Sequence, residues 1–280
     1  MSGTRRRRVR AATLLAALAT AASIAALAAP AAMAVYPNSI AATGDSITRA
    51  FNGGCGAFRD CPENSWATGT NRAVNSFYER IVAGNAAARG NLFNDARSGA
   101  RMTHLREQVR RAIEQRVDYV VIEMGANDVC TSTEETMTSV ASFTADFERS
   151  IRDLRERLPG ARISVGSIPN VYHLWDLFDA NRTATETWRF LAVCQSMLRN
   201  ATSRSREDED RRLRVQRREV EFNRALETVC ATYAQCKFDR NTGYNYRFRA
   251  EEVSTSDYFH PSVTGQATIA SIEWGVTWVF

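Results

Sequence analysis

The segment 117–125, "VDYVVIEMG", constrains the fold more than any other part of this chain. It is an unbroken apolar run, rich in β-branched residues and stopped by a glycine. A strand that is apolar on both faces is buried on both faces, which suits the middle of a parallel sheet. Three further short runs read as strands: "SIAATG" at 39–44, "NLFNDARSG" at 91–99 and "ARISVGSIP" at 161–169. Helical patterns fill the gaps. "NRAVNSFYERIVAG" sets Val74, Phe77, Tyr78 and Ile81 at helical spacing, and "MTHLREQVRRAIEQ" sets Leu105, Val109 and Ile113 on one face. "SVASFTADFERSIRDLRERLPG" is a long helix with a Pro-Gly stop. "FNRALETVCATY" and the C-terminal "SVTGQATIASIEWGVTWVF" read as two more. Strand–helix alternation of this kind predicts an α/β fold with a parallel sheet covered by helices on both faces. No repeat or linker interrupts it, so one domain is expected.

The first 34 residues stand apart. A basic start, an Ala/Leu-rich core and the ending Ala32-Met33-Ala34 read as a signal peptide, residues 1–34, cleaved to leave a domain of residues 35–280. The rival reading is an uncleaved anchor, against which stand the alanine content and Pro30. The arginine cluster leaves the export route open between the general and twin-arginine systems. The leader also dominates the charge. The chain carries 36 basic and 31 acidic residues; the leader's five arginines leave 31 against 31. A neutral mature chain gives no reason to expect a nucleic-acid partner.

Six cysteines, an even number, suit disulfides in an exported chain. The short spacings favour Cys55–Cys61 and Cys230–Cys236, which leaves Cys130 with Cys194. No metal site is expected. The three histidines, His104, His173 and His260, lie far apart, and the cysteine spacing is too loose for ligand pairs.

The chemistry collects where the strands end. Gly44-Asp45-Ser46 follows the first strand, Ser98-Gly99 the second, and Gly125-Ala126-Asn127-Asp128 the third. In a parallel sheet these three points meet along one carboxyl edge, where ligands bind. Taken locally, Ser46 reads either as a helix cap or as a nucleophile. A serine nucleophile needs a base. "DYFHPS" at 257–262 supplies His260 as base and Asp257, three residues earlier, to hold its ring. The Ser46 and Gly99 backbone N–H groups and the Asn127 amide are candidates for an oxyanion hole. Asp128 reads as a brace for its loop.

These blocks resemble the SGNH, or GDSL, hydrolase family. "GDSIT" is similar to the family's first block, the glycine of "SGA" to its second, "GAND" to its third and "DYFH" to its last. All four occur in order across nearly the whole mature chain. The resemblance implies a flavodoxin-like three-layer α/β/α sandwich and a serine esterase. It makes Ser46, His260 and Asp257 the triad, and Ser46, Gly99 and Asn127 the oxyanion hole. "GANDVC", "ENSWATG" and the C-terminal block look most like the secreted lipase and phospholipase-B-like branch. That branch implies lipid or phospholipid esters as substrate, with a polysaccharide O-acetyl ester as the alternative and a non-catalytic binding module as a third reading. No cofactor is expected, the leader places the protein in the extracellular space, and a monomer with transient contact to a lipid surface is expected.

Three features remain. Tyr172, Leu174, Trp175 and Phe178 in "VYHLWDLF" read either as an acyl pocket or as core packing; His173 reads as a pocket or loop residue. His104 reads as structural, on the polar side of a helix. The mixed-charge run "SRSREDEDRRLRVQRRE" at 203–219 reads as a solvated helix face.

Overall fold

The structure, a computed structural model, describes residues 1–3, 35–276 and 278–280. The expected leader, 1–34, thus lies almost wholly outside the described residues. Five parallel strands form the sheet: β1 (Ile40–Gly44), β2 (Leu92–Asn94), β3 (Tyr119–Glu123), β4 (Arg162–Val165) and β5 (Cys236–Phe238), in the order β2-β1-β3-β4-β5. The longest register pairs β1 with β3, from Ile40 opposite Tyr119 to Gly44 opposite Glu123. This is the flavodoxin-like order, whose winding reverses between β1 and β3. The crevice at the carboxyl ends of those two strands is therefore the natural place for a ligand.

The helices, in chain order, are α1 (Phe77–Gly84), α2 (Leu105–Gln115), α3 (Ala126–Val129), α4 (Val140–Arg157), α5 (Val171–Phe178), α6 (Arg182–Phe190), α7 (Gln195–Leu198), α8 (Arg206–Cys230), α9 (Thr242–Asn245) and α10 (Val263–Trp274). α2, α4 and α8 pack side by side on one face of the sheet. Phe143 of α4 stacks on Phe222 of α8 with ring centroids 4.0 Å apart, a pair worth about 0.5–1.5 kcal/mol beyond its buried area. On the other face Phe77 of α1 lies over Tyr119 of β3 and meets Trp274 of α10 and Trp66 edge-on. The predicted three-layer α/β/α sandwich is the observed fold.

Four details depart from the sequence reading. β5 has only three residues, too few to carry a periodic signal, and was not expected. α1 starts at Phe77, where the Ser76 side chain accepts the Glu79 N–H, so Asn71–Asn75 lie outside it. His173 sits in a helix, α5, not in a loop. The charged run is a solvated face only in part. It opens the 25-residue α8, and Arg211 and Arg212 are buried, 2% and 0% exposed. Buried guanidinium groups must spend their donors. Arg211 gives hydrogen bonds to the carbonyls of Ser196, Met197 and Arg199, and Arg212 to those of Asn200 and Ser203. The run thus fastens residues 195–203 to the helix.

The disulfides are Cys55–Cys61, Cys130–Cys194 and Cys230–Cys236. The second ties the segment after α3 to the start of α7. No helix among the described residues is long and apolar enough to cross a membrane.

Candidate active site

Ser46 lies in the turn that follows β1, 8% exposed. The strand ends in glycine for two reasons visible in the geometry. Gly44 has φ +153°, and a Cβ there would sit 2.3 Å from the Glu123 carbonyl oxygen and 2.5 Å from Thr48 Oγ1. The Gly44 peptide is also clasped by Gln108 of α2. The Gly44 N–H donates to Gln108 Oε1 at 2.7 Å, and Gln108 Nε2 donates to the Gly44 carbonyl at 2.9 Å. Beyond it, Asp45 Oδ1 accepts the Ile47 N–H at 2.9 Å, folding the chain back so that Ser46 stands at the apex.

His260 comes from the opposite side, in an irregular segment before α10. Its Nε2 lies 2.8 Å from Ser46 Oγ, and its Nδ1 lies 2.6 Å from Asp257 Oδ2. A carboxylate accepts, so Nδ1 carries the proton and Nε2 is free to take one from the hydroxyl. Asp257 is fully engaged. Oδ1 accepts the Phe259 and His260 N–H groups, and Oδ2 also accepts Asn52 Nδ2 at 2.6 Å. Burial would raise this carboxyl; the hydrogen bond and charge of His260, with the two backbone bonds, outweigh it and hold the group below the usual range. Phe51 and Phe259 meet the imidazole edge-on and fix its plane.

Gly99 and Asn127 complete the same crevice. Gly99 has φ +76°, a left-handed conformation that favours glycine. Asn127 donates an amide hydrogen to the Ala100 carbonyl at 3.0 Å, and its side chain also hydrogen-bonds the Asp45 carboxyl. No acceptor among the described residues takes the backbone N–H of Ser46 or of Gly99. Asp128, fully buried, accepts the Met102 N–H at 2.8 Å and the Thr138 hydroxyl at 2.6 Å, bracing the 99–102 loop against α3. Asp45 behind the serine is different in kind. Complete burial pushes its carboxyl up to about 6, opposed by the Ile47 N–H and the His260 charge.

An apolar pocket opens beside these groups. Ile47, Ala126, Phe259 and Pro261, the sequence neighbours of Ser46, Asn127 and His260, form its near wall; its volume is about 60 Å³. Leu174 and His173 of α5 join the lining, but Tyr172 and Trp175 do not. Placing Trp175 in a substrate pocket is corrected by the packing. The ring is 3% exposed, its Nε1 donates to the Ala201 carbonyl, and the guanidinium groups of Arg204 and Arg212 cover its faces. Tyr172 packs edge-on against that ring, outside the pocket. At helical spacing only some of a run of apolar residues share a face, and Trp175 belongs to the core side.

Several site-building residues escaped the sequence reading. Asn52 on Asp257 carried one signal, the Asn-Gly pair at 52–53; Asn52 takes the left-handed conformation such pairs favour. Gln108 and Gln266 carried none. Gln266 of α10 is fully buried, donates to the Ile47 carbonyl at 2.8 Å and accepts the Trp66 N–H at 2.9 Å. Trp188 Nε1 donates to the Tyr258 carbonyl and anchors the Asp257–His260 segment. His104 closes the 3₁₀ turn Met102–His104 that precedes α2, its Nδ1 accepting the Arg101 N–H. One group of close metal-type donors occurs among the described residues, Cys55, Cys61 and Glu63. Its two sulfurs are bonded to each other, so it offers no thiolate.

Comparison with known proteins gives a consistent picture. A model of the GDSL-like lipase/acylhydrolase family matches residues 42–268. Among solved structures, the chain is similar to an extracellular lipase from Streptomyces rimosus, at 16% identity and TM-score 0.52, covering 85% of this chain and 99% of that one. It is also similar to an acetyl xylan esterase, at 14% identity and TM-score 0.51, covering 84% and 98%. At such identities the likeness is one of fold. A search of curated proteins found no match in sequence.

Proposed function

The chain belongs to the GDSL-like lipase/acylhydrolase family, and from that premise we propose that it hydrolyses carboxylic esters at Ser46 through an acyl-enzyme. It is a carboxylic ester hydrolase; the residue roles and substrate that follow are our reading. The observation that carries them is the imidazole of His260, bonded at 2.8 Å to the Ser46 hydroxyl and at 2.6 Å to Asp257.

Ser46 Oγ attacks the ester carbonyl carbon as His260 Nε2 takes its proton. Asp257 keeps the other ring proton on Nδ1 and stabilises the imidazolium. The tetrahedral oxyanion receives the Ser46 and Gly99 N–H groups and the amide of Asn127. Collapse expels the alcohol, which takes the proton from Nε2 and leaves the acyl group on Ser46. Water then attacks with His260 again as base, and the acid departs.

The apolar pocket supports an apolar acyl group, as in lipid or phospholipid esters. Its small volume favours a second reading, removal of acetyl groups from a polysaccharide. Three disulfides support an exported enzyme; with that reading go residues 1–34 as leader, 35–280 as the working domain, a monomer, and only transient contact with lipid surfaces. The test is hydrolysis of p-nitrophenyl butyrate together with labelling by a fluorophosphonate. Both signals should appear in the wild type and vanish in Ser46→Ala. Labelling at another residue, or turnover retained by the variant, overturns the assignment.

A further inference from the structure

The pocket beside Ser46 shares three wall residues, Ile47, Pro169 and Phe248, with a second, much smaller cavity of about 10 Å³. The second cavity lies deeper, between Trp66, Gly166, Gly243 and the α10 residues Ile269 and Ile272. Of the three shared residues, Ile47 belongs to the nucleophile turn and is tied through its carbonyl to Gln266. Pro169 presents only a small rigid ring. Phe248 is the one large side chain of the partition that lies outside the catalytic machinery.

Its position is held from both sides. The ring meets Tyr246 edge-on at 4.9 Å, and Tyr246 in turn donates to Glu252 Oε1. The Phe248 carbonyl lies 3.1 Å from His173 Nε2. A carbonyl only accepts, so the His173 ring carries its hydrogen on Nε2 and clamps residue 248 to α5. The partition is therefore built, not left to a loose surface loop.

Resting on the reading of Ser46 as the nucleophile, we infer that Phe248 sets the length of the acyl group this enzyme accepts. By the measure on which one water needs about 10–15 Å³, the 60 Å³ in front of Phe248 holds a tail of only a few carbons. A longer tail must leave the pocket or push the ring into the cavity behind it. The preferred substrates are thus short-chain acyl esters, which of the two readings above favours acetyl removal over long-chain lipid esters, and a smaller residue at 248 joins the two cavities into one longer slot.

The experiment is a series of p-nitrophenyl esters from acetyl to decanoyl, each used below its aggregation concentration. For the wild type, kcat/KM should fall at least tenfold between butyryl and octanoyl. Phe248→Ala should raise the octanoyl-to-butyryl ratio at least tenfold, and the milder Phe248→Leu should move it in the same direction by less. Phe248→Trp should move the preference toward acetyl. Leu and Trp keep the test open if the alanine variant does not fold. A flat wild-type profile overturns the inference, and so does a ratio unmoved by any of the three variants. Those outcomes leave Ser46 as nucleophile untouched. Absence of wild-type hydrolysis across the whole series, by contrast, removes that reading and the inference together.

Discussion

Ser46 stands at the end of a strand whose five residues are all buried, whereas Asp257 and His260 stand in a segment with no regular structure beyond the single bridge between Val253 and Pro261. The two sides are held by different forces. On the nucleophile side the backbone does most of the positioning, through a five-residue register with β3 and a glycine where no Cβ fits, aided by one side-chain clasp from Gln108. On the base side, side chains do it: Asn52 on Asp257, Trp188 on Tyr258 and two aromatic edges on the imidazole. A side chain placed by packed backbone fails through misfolding. A side chain placed by a few hydrogen bonds fails through misalignment, with the fold intact. Substitutions on the two sides should therefore separate stability from activity.

The largest expected effect spans both sides. His260→Ala and Ser46→Ala should each reduce kcat by about 10⁴–10⁶-fold, with the double variant hardly worse than either, because the two act as a unit. Steady-state kinetics on the three purified proteins decides this; losses that multiply would mean that the pair does not share one step. Next comes the strand end. Gly44→Ala adds overpacking to an unfavourable φ, together about 3–5 kcal/mol. For a domain of this size the melting temperature should drop by roughly 10 °C. A variant that melts with the wild type would show that the turn is less constrained than its geometry implies.

The third prediction sets two buried carboxyls against each other. Asp45, raised to about 6 from an ordinary 3.8, binds more protons in the native than in the unfolded state between those values. Stability therefore falls as pH rises through that window, and the penalty is complete above about pH 6. Asp257 is lowered, so its contribution is present above its unfolded value and is lost as pH falls through the folded one. Asp45→Asn keeps an acceptor for the Ile47 N–H and should be the more stable protein at pH 7, by up to about 3 kcal/mol, with little gain at pH 4. Urea unfolding at the two pH values measures it; an equal gain at both would remove titration as the cause. The smallest effect belongs to the base side. Asn52→Ala should lower kcat about tenfold, since it removes one hydrogen bond from a carboxylate that keeps three others; it also frees the Phe58 N–H from Oδ1 and leaves alanine in a left-handed conformation, so a thermal loss accompanies it that is smaller than that of Gly44→Ala. A large thermal loss without a kinetic one would reverse the contrast between the two sides.

The same contrast explains what could be read from the chain. β1, β3 and the glycines that end them were legible because a buried parallel strand has a composition of its own. The Ser46, Asn127 and Asp257–His260 blocks were legible because they are short and contiguous. The supports were not. Gln108 and Gln266 sit in helices where a glutamine ordinarily faces water, and only the arrival of Gly44 and Ile47 from elsewhere makes them interior. Arg211 and Arg212 misled for a similar reason: a charged run implies solvent until carbonyls from residues 195–203 come to meet it. Trp175 misled because the apolar residues of α5 divide between pocket and core, and spacing does not say which face is which.

Gln266 has one more consequence. It joins residue 47 to the last helix across 219 positions, and the base arrives only six residues before it. At ribosomal rates of about 5–20 residues per second, some 10–40 s separate the emergence of the two halves of the site. Throughout that interval the growing chain carries a serine with neither a base nor a fixed turn. With Ser46 and His260 in the roles proposed above, the growing chain cannot cut esters until α10 has formed and closed on the nucleophile turn.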